Sequence, residues 1–518
     1  MINAVKRDIP DYLLKDGKEV YQGKCHMDGK YIKKASPRTR IYEKPQESKI
    51  VESLVQALKL CNACDGMTFS FHHHLRNGDF VANMVMKAAI EDLGLKDLTI
   101  AATSLGEAHD PIARYIEEGK VIGIQTSGIR GKVGEVVSSG KLQTPAIIRS
   151  HGGRPRAIEA GEVHIDIAFV AAPTSDCVGN CRGTGGKSNC GSLGYAMTDA
   201  KYADHVVVVT DCLVDFPNYP ASVQAIDVDA VVVVDSIGNP QKIASAAARI
   251  SKNPRDLMMA ENVAKVIAAT PYFKEGFSFQ TGVGGPSLAA NLFLEKYMDE
   301  RNIKMGWAIG GICGPMVELL KKGKVNKVID VQDFDLDAVN SINNTPGHYE
   351  MSASQYANPA NKGAFVNKLD FVVLAALEID TDFNVNVLTG SDGVLRGAPG
   401  GHPDTAAGSK CCIIVTPLVR GRMATVCEHV VTVTTPGDCV DVLVTDYGIA
   451  VNPLRKDIIS YLDAASIEHV PIEELKEKAY NLVGRPDDLQ WEDKVVAVLE
   501  ARDGTILDVV RQIHPLEL

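Results

Sequence analysis

Four strand-like segments in the first half of this 518-residue chain recur in the second half in the same order, and this repeat constrains the fold more than any other feature. A repeat at so long a period indicates a duplicated domain and not a solenoid. A single match could arise by chance, whereas four in one order are hard to obtain without duplication. The pairs are Asp65–Ser70 with Glu275–Gln280, Asp166–Ala172 with Asp370–Ala376, Val206–Thr210 with Ile413–Thr416, and Val228–Asp235 with Val440–Asp446.

The segments around these strands predict the fold class. Helical patterns follow the first pair, at Phe80–Ile90 and Leu288–Tyr297. Continuous Val and Ile runs that alternate with helices are typical of parallel strands covered on both faces. We therefore predict an α/β protein with two tandem homologous domains and mostly parallel sheets. Ligands of such sheets bind at the carboxyl ends of the strands, so the loops that follow the strands are the candidate sites.

The domain organisation follows from the same pattern. We predict an N-terminal arm over 1–50, a first domain over 51–250, a second domain over 251–470 that begins in a helical linker (Gln241–Ala269), and a closing α/β unit over 471–518. Apolar runs are of strand length, and the start lacks the apolar stretch of a secretory signal, so we expect a cytoplasmic location. A net charge of −11 disfavours a nucleic-acid or anionic-membrane surface but allows a small anionic substrate.

Metal binding is a weaker interpretation of two further patterns. The twelve cysteines fit reduced thiols in a reducing compartment. Cys61 and Cys64, or the set Cys177, Cys181 and Cys190, lack a second ligand pair at zinc-site spacing. Of the three consecutive histidines 72–74, at most two could reach one ion from an extended chain. We expect no metal.

Several glycine-rich or helix-opening loops follow the predicted strands. The loop His72–Asp79 aims free N–H groups at a ligand where a helix opens, and Thr281–Ser287 lets a ligand approach the backbone closely. Ile309–Pro315 is interpreted as a further glycine loop, after a strand at Ile303–Ala308. The richest stretch is Asn384–Asp404, whose Arg396 has the planar fork that pairs with both oxygens of a carboxylate.

These residues resemble the CoA-transferase (NagB/RpiA-like) fold family, in which two homologous α/β domains build one site between them. Gly282–Pro286 and Gly397–Asp404 are similar to glycine loops of the covalent members. From about Leu60 onwards the chain resembles the citrate lyase alpha-subunit family within that fold. The segments that carry this closer resemblance are Ser70–His73, Phe273–Gly282, Glu378–Thr381, Asn384–Gly397 and Asp446–Pro453.

One departure from the covalent members affects the expected mechanism. Ala308–Gly311 stands where those members place a nucleophilic glutamate, and the citrate lyase type resembles this chain in lacking it. The resemblance implies that citrate displaces acetate from an acetyl thioester on an acyl carrier protein, or from acetyl-CoA. An ionised carboxylate can attack the thioester itself and form a mixed anhydride, so the protein must supply position and oxyanion stabilisation.

The resemblance and the loops together predict the site residues. Backbone N–H groups at Gly310–Gly311 or Gly284–Gly285 are expected to hold the oxyanion. Arg396 is the expected citrate clamp, unless it pairs with Asp392 or Asp404. The catalytic candidates are Gly310, Gly311, Arg396, His402 and Asp404, with His402 shaping the site or serving only as a packed residue. The candidates for binding substrate or the carrier's prosthetic group are His72, His73, Asn77, Gly78, Arg154, Gly282, Gly284, Gly285, Ser287, Gly400 and Gly401.

The resemblance also implies partners and leaves alternatives open. The expected partners are the acyl carrier (gamma) and citryl-lyase (beta) subunits of a lyase complex, in a homo-oligomer. No cofactor is expected to bind directly, since the CoA-like phosphoribosyl-dephospho-CoA group belongs to the carrier. The alternatives are a CoA-transferase for citramalate, acetate or another carboxylate, with Glu350 or Glu378 as nucleophile, a ligand-sensing module, or a scaffold.

Overall fold

The structure of the protein is a computed structural model, and it describes residues 1–36, 46–244, 251–282 and 284–513. The strands of the first half are β1 (Ile50–Val51), β2 (Thr68–Phe71), β3 (Leu98–Ala102), β4 (Val121–Thr126), β5 (Ala146–Ile148), β6 (Ile167–Ala172), β7 (Thr174–Ser175), β8 (Cys181–Arg182), β9 (His205–Thr210) and β10 (Ala230–Val233). The later strands are β11 (Ser278–Thr281), β12 (Trp307–Ile312), β13 (Val328–Asp333), β14 (His348–Glu350), β15 (Phe371–Leu374), β16 (Glu378–Asp380), β17 (Val385–Asn386), β18 (Cys411–Val415), β19 (Val419–Arg420), β20 (Met423–Ala424), β21 (Val426–Cys427), β22 (Val442–Thr445), β23 (Gly448–Val451), β24 (Trp491–Glu500) and β25 (Ile506–Ile513).

Helices connect these strands. They are α1 (Leu54–Leu60), α2 (Val81–Lys87), α3 (Ile112–Glu117), α4 (Gly131–Ser138), α5 (Gly153–Glu159), α6 (Ala196–Tyr202), α7 (Pro254–Ala269), α8 (Gly285–Arg301), α9 (Gly314–Lys321), α10 (Leu336–Asn344), α11 (Ala353–Ala357), α12 (His402–Gly408), α13 (Lys456–Ala464) and α14 (Ile472–Val483). Short 3-10 turns lie at Asp11–Leu13, Arg76–Gly78, Glu107–His109, Ala225–Asp227, Pro240–Lys242, Phe365–Lys368 and Gly437–Cys439, and a π turn lies at Ala88–Asp92.

Two large sheets organise the chain. The first runs β1-β10-β9-β6-β2-β3-β4-β5-β24-β25, and the second runs β14-β13-β12-β11-β15-β18-β22-β23. Within them only β24 with β25 and β22 with β23 pair antiparallel; every other neighbouring pair is parallel. The predicted α/β class with mostly parallel sheets is confirmed.

The strand pairs predicted from the repeat occupy equivalent places in the two sheets. Strands β10-β9-β6-β2 of the first sheet correspond to β22-β18-β15-β11 of the second. The likeness extends to single atoms. Asp176 accepts hydrogen bonds from the backbone N and side-chain Nδ2 of Asn180 at 3.0 and 2.9 Å. Asp380 accepts the same pair from Asn384 at 2.9 and 3.2 Å. The sequence repeat therefore reflects a repeated structure.

Both faces of the second sheet are buried, as its continuous apolar strands predict. Along β15, Phe371 and Val373 belong to one core cluster, whereas Val372 and Leu374 belong to another on the opposite face. Successive side chains of a strand point to opposite faces, so helices must cover both. This layering leaves the strand ends, and not the sheet faces, open to ligands.

The C-terminal segment, predicted as a closing unit over 471–518, contacts both domains. Its helix α14 packs on the second domain through Ile472 and Leu475, whereas β24 pairs with β5 of the first sheet. The reason is the edge of β5, whose backbone groups would otherwise be unpaired. Residues 514–518 lie outside the described residues.

The N-terminal arm packs against the same chain. Val20 pairs with Ile506 of β25, Asn3 donates to the carbonyl of Leu507 at 2.7 Å, and Lys6 lies 2.7 Å from Asp382 of the second domain. Its residues 37–45 lie outside the described part, as do 245–250 of the predicted helical linker, whose helix α7 begins at Pro254. The arm thus links the C-terminal hairpin to the second domain.

Candidate active site

Loops from the carboxyl ends of both sheets meet in a cleft between the domains, which we call the interdomain cleft. Its first-domain wall consists of the loops after β2 (72–79), β4 (127–131) and β5 (149–152), and its second-domain wall includes 387–401 and the end of β13. Backbone and side-chain hydrogen bonds cross between these walls. They are Ile129 N–H to Gly397 O (3.0 Å), His151 N–H to Gly400 O (2.9 Å) and Gln332 Nε2–H to His73 O (3.0 Å). The loop with the richest glycine content therefore lies where ligands of parallel sheets bind.

Asp404, one of the predicted catalytic residues, fastens the two walls together. The fully buried carboxylate accepts hydrogen bonds from Ser150 Oγ and Gly152 N at 2.8 Å each, and Arg502 Nε lies 3.6 Å away. Burial raises the pKa of Asp404 to about 6, against the opposing charge of Arg502 and these donors. This geometry makes Asp404 a link between domains.

A buried aromatic cluster forms the floor of the cleft. Tyr195 stacks on His73 and His74, with ring centroids 6.1 and 5.6 Å apart, and its hydroxyl lies 2.6 Å from Nδ1 of His151. Nδ1 of His73 lies 2.6 Å from the hydroxyl oxygen of Thr103. These contacts leave Nε2 of His73 and of His151 without a hydrogen-bond partner among the residues that the structure describes.

The histidines of this floor are neutral. Burial lowers the pKa of His151 to about 3, helped by the charges of Arg154 and Arg130. Burial, and then the neighbouring His74, lower the pKa of His73 well below its ordinary value. Neutral imidazoles can accept or donate hydrogen bonds, but they cannot balance the charge of an anion.

Arg76 supplies a positive charge at the cleft. Its guanidinium carbon lies 4.4 Å from the ring centroid of Phe334 in the second domain, and its Nη1 is buried without a hydrogen-bond partner. Burial, and then the charge of Arg130, lower the pKa of Arg76 to about 10. Among the described residues, no carboxylate forms an ion pair with this guanidinium.

Arg130 supplies a second positive charge. Arg130 is the exposed N-cap residue of α4. Desolvation by the surrounding protein nevertheless lowers its pKa, and the charge of Glu107 partly offsets this effect. In the described part of the chain, no carboxylate lies within ion-pair distance of it. Arg76 and Arg130 are the missed residues of this site. The rule that placed the other candidates in post-strand loops also covers Ser127–Gly131, where an arginine stands between two glycines.

Three predicted residues already have internal hydrogen-bond partners, although Nδ1 of His72 is buried without one among the described residues. Arg154 forms a buried bidentate ion pair with Asp199, at 2.6 Å for each nitrogen. His402 uses both ring nitrogens, Nδ1 with Thr435 Oγ1 at 2.7 Å and Nε2 with the carbonyl of Ala375 at 3.1 Å. His72 accepts from the N–H of Ala171 at 3.0 Å. Burial lowers the pKa of both His72 and His402 to about 4. Their predicted contacts with ligands remain predictions.

Three others lie away from the aromatic floor. Arg396 is half exposed, and its Nη2 lies 2.7 Å from Asp392, which is one of the ion pairs that the sequence left open. Asn77 is exposed, and Gly78 packs against the backbone of Asn239, where a Cβ would lie 2.1 Å from the carbonyl oxygen.

The prediction of a loop over Ile309–Pro315 is wrong, because strand β12 covers Trp307–Ile312 and so includes the first part of that segment. Gly310 and Gly311 lie within it, at a β-bulge in its pairing with β13. Gly310 has φ +101°, and a Cβ there would lie 2.6 Å from the side chain of Gln280. Only glycine permits this bend, and bulges of this kind occur next to active sites, so the two N–H groups remain candidates for the oxyanion.

The other glycine candidates have distinct surroundings. Gly285 begins α8 after Gly284, and Ser287 is fully buried, whereas Val283 lies outside the described residues. Gly400 has φ +53° and lies beside His151, and a Cβ on Gly401 would lie 2.5 Å from the hydroxyl of Tyr356. Gly282 donates its N–H to the carbonyl of Val373 at 2.7 Å. Of these, Gly400 lies directly against the aromatic floor, at His151.

Comparison with known proteins decides the family. The model of the family "Citrate lyase, alpha subunit (CitF)" matches residues 47–513. The chain belongs to this family. The citrate lyase alpha chain of Klebsiella pneumoniae is 49% identical over 502 residues, with 97% of each chain covered. That of Escherichia coli is 50% identical over 471 residues, which cover 91% of this chain and 92% of the relative.

Solved structures agree with this family. The citrate lyase alpha subunit of Streptococcus mutans, crystallised in complex with citrate, has a TM-score of 0.95 at 50% identity and covers 99% of this chain and 100% of its own. A Pseudomonas malonate decarboxylase hetero-tetramer shares the fold, with a TM-score of 0.62 at 17% identity over 84% of this chain and 86% of the other. As a citrate lyase alpha subunit, the chain is an enzyme component of a multi-subunit lyase complex. Among the described residues, no helix is long and apolar enough to cross a membrane.

The two glutamates left open as alternative nucleophiles have structural partners in this citrate lyase alpha subunit. Glu350 accepts from Ser222 Oγ at 2.7 Å and from the N–H of Leu193 at 3.3 Å. Glu378 accepts from Asn386 Nδ2 at 2.9 Å and from the N–H of Val431 at 3.1 Å. Both carboxylates therefore serve as acceptors in loop contacts.

Metal-type ligands come together at places other than those that the sequence suggested. Within the described ranges, two groups bring their ligand atoms within 4.8 Å of one another: His164, Asp166 and Asp204, and Asp330, Asp333 and His348. Neither group contains a cysteine or one of the histidines 72–74. The second group is buried at the domain interface, where Asp333 accepts from the N–H of Ser192 at 2.9 Å.

This buried carboxyl pair predicts an unusual pH dependence of stability. Burial raises the pKa of Asp330 to about 7, and burial with the charge of Asp330 raises that of Asp333. Protons bound in the folded state stabilise it at low pH, and this contribution is lost as pH rises through the folded-state pKa. We expect Asp333→Asn, which keeps an acceptor for Ser192, to raise the melting temperature at pH 8 by roughly 2–4 °C, the shift that about 1 kcal/mol produces. At pH 5 the gain should shrink.

Asp392→Asn is the matched control for this measurement. Its pKa is lowered, through hydrogen bonds and the charge of Arg396 that outweigh its desolvation, so the group stays ionised from pH 5 to pH 8. Its effect on the melting temperature should not change over that range. If the rise in melting temperature for Asp333→Asn were equally independent of pH, it would contradict the explanation by a proton bound to the Asp330–Asp333 pair.

Proposed function

We propose that this alpha subunit exchanges acetyl for citryl on the thiol of an acyl carrier protein, so that acetyl carrier and citrate give citryl carrier and acetate. The observation that carries the proposal is family membership together with a cleft whose glycine strand offers no acidic nucleophile. Similarity to a subunit that was crystallised with citrate supports citrate as the acid. Acetyl-CoA should replace the carrier as donor, since the thioester chemistry is the same.

The substrate itself provides the nucleophile. An oxygen of a citrate carboxylate attacks the acetyl carbonyl, the C–S bond breaks, and the carrier leaves as a thiolate. The mixed anhydride of citrate and acetate is then attacked by the thiolate at the citryl carbonyl, the C–O bond to acetate breaks, and acetate leaves. No net proton is consumed, because citrate reacts as an anion at neutral pH. Position and charge stabilisation are the tasks left to the protein.

The chain offers groups for both tasks. N–H groups at the Gly310–Gly311 bulge or at Gly284–Gly285 would bind the oxyanion of each tetrahedral intermediate, at about 3 kcal/mol for one donor in comparable acyl-transfer sites. Asp404 links the two walls through its hydrogen bonds. His402, the first residue of α12, fixes the start of that helix through its contact with Thr435. Arg396 is the candidate clamp from sequence, and substitution of Arg396 tests it below.

Partners and location are part of the same proposal. The acyl carrier (gamma) subunit would bring the phosphoribosyl-dephospho-CoA thioester to the cleft, and the lyase (beta) subunit would cleave the citryl product. Asn77 and the N-terminus of α8 are candidates to bind its phosphates. The chain would work in the cytoplasm, where its cysteines, none of which forms a disulfide, stay reduced.

An exchange assay tests the proposed function. Acetyl-CoA, or acetylated carrier, is incubated with the protein and separately with citrate, citramalate, malate, succinate and propionate, and the acid that gains the thioester is identified by mass. We expect citrate to be the preferred acceptor. Transfer to a monocarboxylate with none to citrate would contradict the assignment.

Intact-mass analysis separates the mixed-anhydride route from the covalent one. The protein is incubated with acetyl-CoA without an acceptor acid and then trapped with hydroxylamine or borohydride. We expect an unmodified mass, because Glu350 and Glu378 both serve as acceptors in structural contacts. A hydroxamate after hydroxylamine, or an alcohol after borohydride, at the side chain of Glu350 or Glu378 is what a glutamyl-CoA thioester would leave, and it would establish the covalent route.

A further inference from the structure

Citrate carries three negative charges, and the floor of the interdomain cleft is neutral. Transfer of so much charge into a cleft is costly unless fixed positive charges meet it. Two guanidinium groups at the cleft have no carboxylate partner among the described residues. We propose that Arg76 and Arg130 bind the two citrate carboxylates that do not react. This inference rests on the proposed function and names the residues that select a tricarboxylate.

The surroundings of Arg76 place it between the two domains. Its guanidinium lies over Phe334, which packs in turn on Gly311, where a Cβ would lie 1.6 Å from the ring. The charge is thus one aromatic ring away from the candidate oxyanion position. Arg76 also has φ +53°, a backbone conformation that costs energy for a residue with a Cβ and is kept where the side chain must point one way.

Arg130 belongs to the loop between β4 and α4, which meets the glycine-rich loop of the second domain. The backbone N–H of Arg130 donates to the carbonyl of Leu105 at 2.9 Å. Gly128, two residues earlier in the same loop, packs against Ala398 of the glycine-rich loop. The charge of Arg130 is among the causes that lower the pKa of Arg76 and of His151. Two like charges that act on one site are unfavourable until an anion binds to both.

The count of charges explains how the site could both bind and activate citrate. Two guanidinium groups match two carboxylates, since each planar fork can donate two parallel hydrogen bonds. The third carboxylate is left without a cation, and an unpaired carboxylate retains its nucleophilicity. The Nε2 atoms of His73 and His151 can hydrogen-bond to the hydroxyl group, which a neutral ring does without adding charge.

Acetate provides an internal comparison, because the reverse reaction uses it in place of citrate. Acetate has one carboxylate, which must react, so it has none to offer to Arg76 or Arg130. Loss of either arginine should therefore raise KM for citrate in the forward direction and leave KM for acetate in the reverse direction unchanged. A residue with a merely structural role would change both.

The experiment compares Arg76→Gln and Arg130→Gln with the wild type in both directions of the exchange. Charge-assisted hydrogen bonds contribute about 1.5–3 kcal/mol, so KM for citrate should rise roughly 10- to 150-fold in each variant. Arg114→Gln, at an exposed position of α3 in the first domain, is the control that should leave every parameter unchanged. Arg76→Lys and Arg130→Lys keep the charge without the fork and should give intermediate values.

Thermal denaturation with and without citrate gives a second readout that does not need the thioester. The wild type should be stabilised by citrate, and the two glutamine variants should fold but lose this shift. Unchanged KM for citrate in both variants, or a rise for Arg396→Gln alone, would overturn the clamp while the exchange activity of the wild type still stood. A wild type without exchange to citrate would instead overturn the proposed function, and the clamp with it.

Discussion

Replacing Arg154 by methionine is expected to lower the free energy of unfolding of the first domain by about 3–5 kcal/mol, because it leaves a buried carboxylate without its cation. Both nitrogens of the guanidinium fork bind Asp199, and Nη2 also donates to the carbonyl of Ala101 at 2.9 Å. Asp199 in turn accepts from the hydroxyl of Ser70. Methionine fills a similar volume, so the loss should come from charge and hydrogen bonds and not from a cavity.

Urea denaturation followed by circular dichroism measures this loss, and Arg114→Met is the matched control. Arg114 pairs with Glu91 on the surface, where an ion pair contributes less than about 1 kcal/mol. The double variant Arg154→Met, Asp199→Asn should recover part of the stability, because the charge that needs a partner is gone. Equal losses for Arg154→Met and Arg114→Met would refute the assignment of Arg154 to the core of the domain.

Substitution of Gly128 by alanine is expected to reduce the rate of acyl transfer on the order of 100-fold, the effect of a displacement of about 1 Å at a site. A Cβ on Gly128 would lie 2.3 Å from the Cβ of Ala398, which is closer than real contacts allow. The loop with Arg130 and the loop with Gly400 would have to separate. The hydrogen bond between Ile129 and Gly397 would then be lost or stretched.

Steady-state exchange with acetyl-CoA and citrate measures this effect, and two further variants isolate its cause. Gly363→Ala places a methyl group where the nearest atom is 4.0 Å away, so activity should not change. Gly128→Ala combined with Ala398→Gly removes the Cβ that the new methyl group meets, and it should restore most of the rate. Failure of the second change to restore activity would show that Gly128 matters for a reason other than the spacing of the two loops.

The buried strands and the domain duplication could be predicted from the sequence because they depend on local patterns. The apolar run at Val228–Asp235 and its counterpart at Val440–Asp446 each predict a buried strand without knowledge of any partner. The Asp176 and Asn180 pair could likewise be matched to its repeat, since an aspartate that accepts from a residue four positions later is a local motif. Patterns of this kind need no tertiary information.

The roles of individual charged residues could not be predicted in the same way. Arg154 and Arg76 both follow strands of the first domain and look alike in sequence, yet Arg154 is paired with Asp199, 45 positions away, and Arg76 faces Phe334 of the other domain. Which arginine keeps a free guanidinium depends on contacts between segments that are distant along the chain. The bulge in β12 was missed for a related reason, because the pairing of Gly310 and Gly311 is fixed by β13 and not by their own sequence.

The attachment of β24 and β25 to the first sheet has a consequence for the timing of biosynthesis. Strand β5 ends at Ile148, but its partner β24 begins at Trp491, and Val20 of the arm pairs with Ile506. A ribosome that adds about 5–20 residues per second needs tens of seconds to bridge that interval. During this time the edge of β5 is open to solvent and to other nascent chains. Residues made long after β5 therefore complete the first sheet, and the two walls of the cleft can take their final positions only after those residues have been made.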